Sequence, residues 1–442
     1  MTLRFGTDGV RGPASEFTDA LVIALGQAAA QILGSSSFVI GRDTRESGER
    51  LERALATGLA QVGAKPLSMG VVPTPAVAWV CAQRGVPGAV ISASHNPWSD
   101  NGIKFFAAGG RKLSDELEDA LESALDAIVA TGVDSAAIAG IATDTDVVGE
   151  WCEAVSSSVP SITPMRIVID CANGAASSVA PGIFRGLGLD VEVLHAQPDG
   201  RNINDGCGST HPEDLQRAVV ATSAALGLAF DGDADRLLAV DERGELVDGD
   251  QLIALFARDM RERGELAGNR VVVTVMSNLG FRLAMDEQGI EVVETPVGDR
   301  HVLEALARTS SSLGGEQSGH IVFAERATTG DGVLSGVQLV DLVGRSQVPL
   351  SVLAAEVMER LPQVLRNVRL ESRREDLGAF LAEAIASEVA AVEANLGARG
   401  RVLIRPSGTE PLVRVMVEAP TMEQAEAAAD NLAAAVTQAC SA

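Results

Sequence analysis

No stretch of this 442-residue sequence stays apolar for the roughly 18 residues that a bilayer crossing demands, so no membrane span is expected. The opening MTLRFGTDGVRG lacks an apolar core, being broken at once by Gly6, Asp8, Gly9 and Arg11, and a secretory leader is not expected either. A soluble, cytoplasmic protein is the expectation. Cysteine is scarce: Cys81, Cys152, Cys171, Cys207 and Cys440 are scattered, odd in number and form no CxxC, which speaks against a disulfide framework and a zinc site. Positive charge is short as well. Lys and Arg number 35 against 60 Asp and Glu, a formal net charge of -25 that repels nucleic acid and anionic membrane surfaces. An anionic small molecule could bind only where local arginines overcome that field.

What the sequence does contain is a plan stated three times. FVIGRDTRESG from Phe38, RIVIDCANGAAS from Arg166 and RVVVTVMSNLG from Arg270 each give a β-rich apolar run closed by a small or polar turn and followed by helical potential. A second strand then ends near a proline in GAKPLSMGVVPTP, GLDVEVLHAQP and GIEVVETPVGD. A third leads into a loop dense in functional residue types: AVISASHNP, GLAFDGDADR and SLGGEQSGHI. Strands alternating with helices predict βαβ units, whose ligands gather at the carboxyl ends of strands. The expected fold is α/β: three related α/β domains with mixed sheets around a central cleft, over 1–150, 151–250 and 251–364. Residues 365–442 are expected to add a C-terminal α+β domain, with RVLIRPSGTEPLVRVMVE as strand and a last helix opened by Thr421 and Gln424.

DGDADR places Asp231, Asp233 and Asp235 at i, i+2 and i+4 between apolar GLAF and LLAV. A tight loop can turn all three around one hard cation, and an EF-hand is excluded because Arg236 stands where glycine is required. Three carboxylates leave open positions on the ion, which suits Mg²⁺ completed by a phosphate oxygen. Ser94 in VISASHNPWSDNG lacks a GxSxG elbow and has His95 directly beside it, where an extended chain would point the two side chains apart. It reads as a helix cap or as a serine placed to carry phosphate on a nest of backbone N–H groups. RPSGTEPLVR offers Arg405 and Arg414 with Ser407, Thr409 and the exposed backbone of Gly408, the forks and hydroxyls that a phosphate dianion requires. GGEQSGH supplies Glu316, Ser318 and His320, suited to sugar hydroxyls and proton transfer, while Arg11 and Lys104 add cations.

In this order, FGTDGVRG, GRDTRESG, VISASHNPWSDNGIKFF, DGDADR, TPVGDR, GGEQSGHI and RPSGTEPLVRVMVE resemble the α-D-phosphohexomutase superfamily along the whole chain. The resemblance implies four domains around a cleft, with the fourth as a mobile cap. It implies that Ser94 is the phosphorylated catalytic serine and a metal ligand beside Asp231, Asp233 and Asp235, one Mg²⁺ per active site. Arg236 would steady the same phosphate; Arg11, Lys104 and His320 would support proton transfer; Glu316 and Ser318 would bind sugar. Arg405, Ser407, Gly408, Thr409 and Arg414 would clamp the non-reacting phosphate. The implied reaction interconverts the 6- and 1-phosphates of a hexose through a 1,6-bisphosphate. Gln317 and Ser92 favour the amino-sugar branch, hence glucosamine 1,6-bisphosphate as intermediate, over the glucose and mannose branches. The implied partner is a small-molecule sugar phosphate, with a homodimer. His301 departs from the family's usual tyrosine, and the chain has no tyrosine at all. A phosphosugar-binding protein with an unphosphorylated Ser94 is the reading from another class.

Overall fold

The computed structural model describes residues 5–6, 9–133, 140–370, 376–407 and 411–441. The chain forms two compact units, residues 1–276 with 290–355 and residues 277–289 with 356–442. Each is considered by itself.

The first unit contains three sheets that repeat one motif. In the first, Ser37–Arg42 pairs in parallel with Lys65–Val71 and with Gly88–Ile91, and the latter pairs antiparallel with Asp100–Phe106. In the second, Arg166–Asp170 lies parallel to Asp190–Leu194 and Leu226–Phe230, and Leu226–Phe230 turns back antiparallel into Leu237–Asp241. In the third, Arg270–Thr274 lies parallel to Glu291–Thr295 and Leu313–Gly315, the last returning as Ile321–Phe323. The central strands are valine- and isoleucine-rich and buried along most of their length, as strands covered on both faces must be. The serine loop, the aspartate loop and GGEQSGH thus occupy one topological position, the turn of the antiparallel hairpin that ends each motif. Strand ends face the helix N-termini there, which is where backbone donors collect.

Helix Gly332–Ser346 is seated directly on the aspartate loop, since Gly332 N donates to Ala234 O at 3.0 Å. Its N-cap Asp331 accepts from Leu334 N at 2.8 Å and is buried. Burial pushes the Asp331 carboxyl up to about 7, with hydrogen bonds from the Leu334 N–H and the Trp151 indole opposing that rise. A carboxyl raised on folding stabilises the fold fully below its unfolded value of 3.8, and that contribution is lost as pH climbs through about 7. Asp331→Asn, which keeps the cap but cannot ionise, is therefore expected to gain stability relative to the parent between pH 5 and pH 8, by on the order of 2–4 kcal/mol. Urea midpoints at the two pH values check this. Equal differences at both would refute it.

The second unit is a three-stranded antiparallel sheet, ordered Gln363–Arg369, Leu412–Glu418, Arg401–Pro406. Leu377–Ala384, Ala386–Leu396 and Met422–Ser441 cover it, with Val413, Val415, Val417, Leu381 and Leu432 in the core. Thr421 Oγ1 accepts from Gln424 N at 3.3 Å at the start of the last helix. Among the described residues no helix is long and apolar enough to cross a membrane.

Candidate active site

Ser94 follows strand Gly88–Ile91 and heads no helix; the next α-helix begins at Asp115, so the cap reading fails. Its φ is +51°, the left-handed region that costs a non-glycine residue roughly 1–2 kcal/mol. That bend also overturns the extended-chain expectation for its neighbour, because Ser94 Oγ and His95 Nδ1 lie 3.3 Å apart. Burial, followed by the fields of Arg236 and Arg11, pushes His95 down to about 4, so the imidazole is neutral near pH 7. Ser94 Oγ donates to Asp231 Oδ2 at 2.6 Å. Residues 137 positions apart therefore meet in a direct hydrogen bond.

The aspartate loop is the turn of the Leu226–Phe230/Leu237–Asp241 hairpin, closed by the Phe230–Leu237 pair, with Ala234 left-handed at φ +56°. Asp231, Asp233 and Asp235 are all buried, and each offers an oxygen within 4.8 Å of the others. Like charges at this separation without water are costly. Burial, then the charges of Asp235 and Asp233, pushes Asp231 well above the usual carboxylate range. Burial and Asp233 raise Asp235 in the same direction, against Lys104, His320 and Arg236. Lys104 Nζ reaches Asp233 Oδ2 at 3.0 Å and Asp235 Oδ2 at 3.7 Å, while Asp235 Oδ1 is buried with no hydrogen-bond partner among the described residues. An all-oxygen donor set with excess negative charge and an oxygen still lacking a hydrogen bond fits a hard divalent cation.

The other expected residues of this unit divide as follows. Arg11 and Gly102 are a cross-strand pair, and Arg11, Lys104 and Arg236 all act on His95. Arg236 is partly buried, and the cost of that desolvation is outweighed by Asp235, Asp231 and Glu316, which hold the guanidinium above its ordinary value. His320 is buried, its Nε2 accepting from Gly330 N at 3.1 Å, which places the neutral ring's proton on Nδ1. Glu316 Oε1 accepts from Gly298 N at 3.2 Å, whereas Ser318 is exposed at the tip of its turn. Leu237 N donates to Gly319 O at 3.0 Å and ties this loop to the aspartate hairpin. Sequence reasoning missed Thr74, whose Oγ1 donates to Asp233 Oδ2 at 2.6 Å and whose N–H donates to Asp233 O at 2.9 Å. It also missed Asp299, paired with Lys112 and 3.8 Å from His320 Nε2. The only signal for either was position, since PTP and VGD both close second strands.

A second cluster, Asp170, His195 and Cys207, also brings three potential metal ligands together. Its Asp170 and His195 are already committed to each other, and Cys207 Sγ faces Asn173 Nδ2 at 4.0 Å. Asp170 Oδ2 accepts from His195 Nδ1 at 2.9 Å and from Gly208 N at 3.0 Å, and burial pushes the Cys207 thiol up to about 12. It is a hydrogen-bonded brace for the loops behind Phe230.

In the second unit, Arg405 and Arg414 stand directly opposite each other on paired strands. Burial, then the neighbouring Arg414, lowers Arg405. Like charges across a strand pair oppose folding unless an anion joins them, so the pair has the chemistry of an anion clamp. Ser407 N donates to Leu412 O at 2.8 Å just beyond it. Gly408 and Thr409 lie outside the described residues.

Residues 2–131, 150–244 and 248–361 match the families described as phosphoglucomutase/phosphomannomutase, alpha/beta/alpha domains I, II and III, and residues 365–435 match the C-terminal domain. The chain is 51% identical over 443 residues to a phosphoglucosamine mutase of Thermobifida fusca (strain YX), covering 98% of each. It is 51% identical over 426 residues to that of Desulforudis audaxviator (strain MP104C), covering 94% of this chain and 93% of the other. Among solved structures, a phosphoglucomutase/phosphomannomutase family protein of Burkholderia thailandensis superposes with TM-score 0.81 at 24% identity over 99% of this chain and 98% of that one. An Aspergillus fumigatus N-acetylphosphoglucosamine mutase in complex with GlcNAc-6P and magnesium superposes at 0.70 and 18% identity, over 100% and 96%.

Proposed function

Because the chain belongs to the phosphoglucomutase/phosphomannomutase family and stands among its phosphoglucosamine mutases, we propose that it interconverts glucosamine 6-phosphate and glucosamine 1-phosphate through a phosphoserine at Ser94. The single observation that carries this reading is the 2.6 Å bond between Ser94 Oγ and Asp231 within a three-carboxylate cage. The enzyme is an isomerase that supplies amino sugar for UDP-N-acetylglucosamine and cell-wall synthesis. The same reading takes the segments 1–150, 151–250, 251–364 and 365–442 as its four domains, keeps the cytoplasm as its place, and carries over a homodimer from the family resemblance.

The proposed chemistry is a double phosphoryl transfer. The bond from phosphorus to Ser94 Oγ breaks as a bond to the sugar 1-oxygen forms, giving glucosamine 1,6-bisphosphate. After the bisphosphate reverses in the cleft, its 6-phosphate passes to Ser94 Oγ and glucosamine 1-phosphate leaves. Asp231, Asp233, Asp235 and the Ser94 phosphate would hold one Mg²⁺, which when bound neutralises charge on the phosphoryl oxygens. Arg236, fixed by Asp235 and Asp231, steadies the same phosphate. Lys104 and His320, with Arg11 near them, take the proton from the attacking hydroxyl and return one to the leaving oxygen. Glu316 and Ser318 bind sugar hydroxyls. Arg405, Ser407, Gly408, Thr409 and Arg414 hold whichever phosphate is not reacting, so the clamp recognises phosphate at either end of the sugar.

Turnover of the 6-phosphates of glucosamine, glucose and mannose under equal conditions tests the sugar. The expected kcat/KM for glucosamine exceeds the others by about 10²-fold or more, the scale a hydrogen-bonding site reaches against an analogue lacking its group. Equal values would refute the amino-sugar assignment.

A further inference from the structure

Ser94 is held by its backbone as well as by its hydroxyl. Its N–H donates to Ser92 Oγ at 2.9 Å. Its carbonyl accepts from Arg45 Nη2 at 3.1 Å and from Asn204 Nδ2 at 2.9 Å. The same two donors converge on the carbonyl of Asn96, Arg45 Nη2 at 2.5 Å and Asn204 Nδ2 at 3.1 Å. Two side chains, 159 positions apart, therefore make four bonds to the two carbonyls that flank His95. Both acceptors are carbonyls, so the amide of Asn204 must present its nitrogen to them. Arg45 is fully buried and anchored on Asp43, to whose Oδ1 its own N–H donates at 2.9 Å. Asn204 is buried and itself left-handed at φ +59°, with its N–H on Ala172 O at 2.9 Å.

The glycine of the aspartate loop belongs to the same arrangement. A Cβ on Gly232 would stand 2.6 Å from Ser94 O and 2.8 Å from Asn204 Nδ2, closer than such atoms approach. The clamp, the serine carbonyl and the aspartate turn are thus packed on one another without room for a methyl group. An unrestrained serine prefers extended backbone by about 1–2 kcal/mol, and an extended Ser94 would turn its hydroxyl off Asp231. Four hydrogen bonds, two of them from a guanidinium, are enough to hold the disfavoured form.

We propose that Arg45 and Asn204 are positioning residues: together they lock Ser94 in the left-handed conformation that aims its oxygen at the aspartate cage. The inference rests on the reading that Ser94 carries the transferred phosphoryl group. Its effect falls on the chemical step, since neither residue is assigned a contact with the sugar. Misplacing a reacting atom by about 1 Å costs on the order of 10²-fold.

The test uses the full-length protein with Asn204→Ala, Asn204→Asp and Arg45→Lys, glucosamine 6-phosphate as substrate, and Ser94→Ala as control. Asn204→Ala is expected to lose about 10- to 100-fold in kcat with KM within threefold of the parent. Asn204→Asp, which turns a carboxylate onto two carbonyls, is expected to lose more. Arg45→Lys keeps the buried charge but not the fork, and gives an independent variant with the same kcat-specific loss. Retention of kcat within twofold in Asn204→Ala and Arg45→Lys, or a loss expressed in KM alone, overturns the inference. Failure of the underlying reading looks different, for then the parent carries no phosphate on Ser94 by intact-protein mass, or Ser94→Ala remains active.

Discussion

Ser94→Ala is expected to turn over glucosamine 6-phosphate about 10⁴-fold more slowly than the parent or worse, and to melt within a few degrees of it. On the proposed route the phosphoryl group is carried on Ser94 Oγ, so loss of this hydroxyl removes a covalent intermediate rather than a contact. The structural cost is small by comparison. Alanine occupies the same volume, and the Oγ hydrogen bond to Asp231 is one of several interactions at that carboxylate, worth about 1 kcal/mol. The backbone clamp from Arg45 and Asn204 does not depend on the side chain at position 94. A coupled assay, a thermal melt and an intact mass on one preparation decide the matter. A variant that keeps a substantial fraction of the rate, or that still acquires one phosphate, contradicts the role assigned to the serine.

Asp233→Asn is expected to weaken Mn²⁺ or Mg²⁺ binding by about 10²-fold and kcat by about 10²- to 10³-fold. Asp233 Oδ2 is the oxygen on which Thr74 Oγ1 and Lys104 Nζ converge, so the side chain is held in place from two sides. An amide of the same shape keeps the contact with Thr74 but supplies no charge. Its charge is also among the causes that raise Asp231 and Asp235, so the variant's remaining pair ionises more readily. Folding should survive because Lys104 keeps Asp235 as a partner at 3.7 Å. Calorimetric titration with Mn²⁺ reads the affinity without reference to turnover. Unchanged affinity in a folded variant would remove Asp233 from the cation site.

The repeat plan was legible because each motif announces itself with a β-branched run, and its third strand breaks into a turn dense in functional residue types. The carboxylates of DGDADR were legible for the same reason: i, i+2, i+4 spacing between two strands leaves a tight turn as the one way to bury them together. Backbone conformation at the turn was not. The left-handed φ of Ser94 follows from bonds supplied by Arg45 and Asn204, and nothing in VISASHNPWSDNG encodes partners 49 and 110 residues away. Reasoning from an extended chain consequently separated Ser94 from His95, which the bend brings to 3.3 Å. Thr74 and Asp299 escaped notice because a threonine before proline and an aspartate after glycine are ordinary turn residues, and only tertiary contact gives them their roles. Arg405 and Arg414 were legible as two arginines flanking a turn with hydroxyls, but RVLIRPSGTEPLVRVMVE, expected as one strand, contains two antiparallel strands, Arg401–Pro406 and Leu412–Glu418, and it is their pairing that sets the arginines opposite each other.

The central claim is that a phosphate on Ser94 lies against a cation held by Asp231, Asp233 and Asp235. Phosphorus resonance of the phosphorylated full-length protein, titrated with paramagnetic Mn²⁺ in place of Mg²⁺, tests it most directly. Stoichiometric Mn²⁺ is predicted to broaden the phosphoserine signal beyond detection, and Asp233→Asn to leave it sharp at the same ion concentration. A signal that stays sharp in the parent while calorimetry shows Mn²⁺ bound would place the ion and the phosphate apart, and the account would fall.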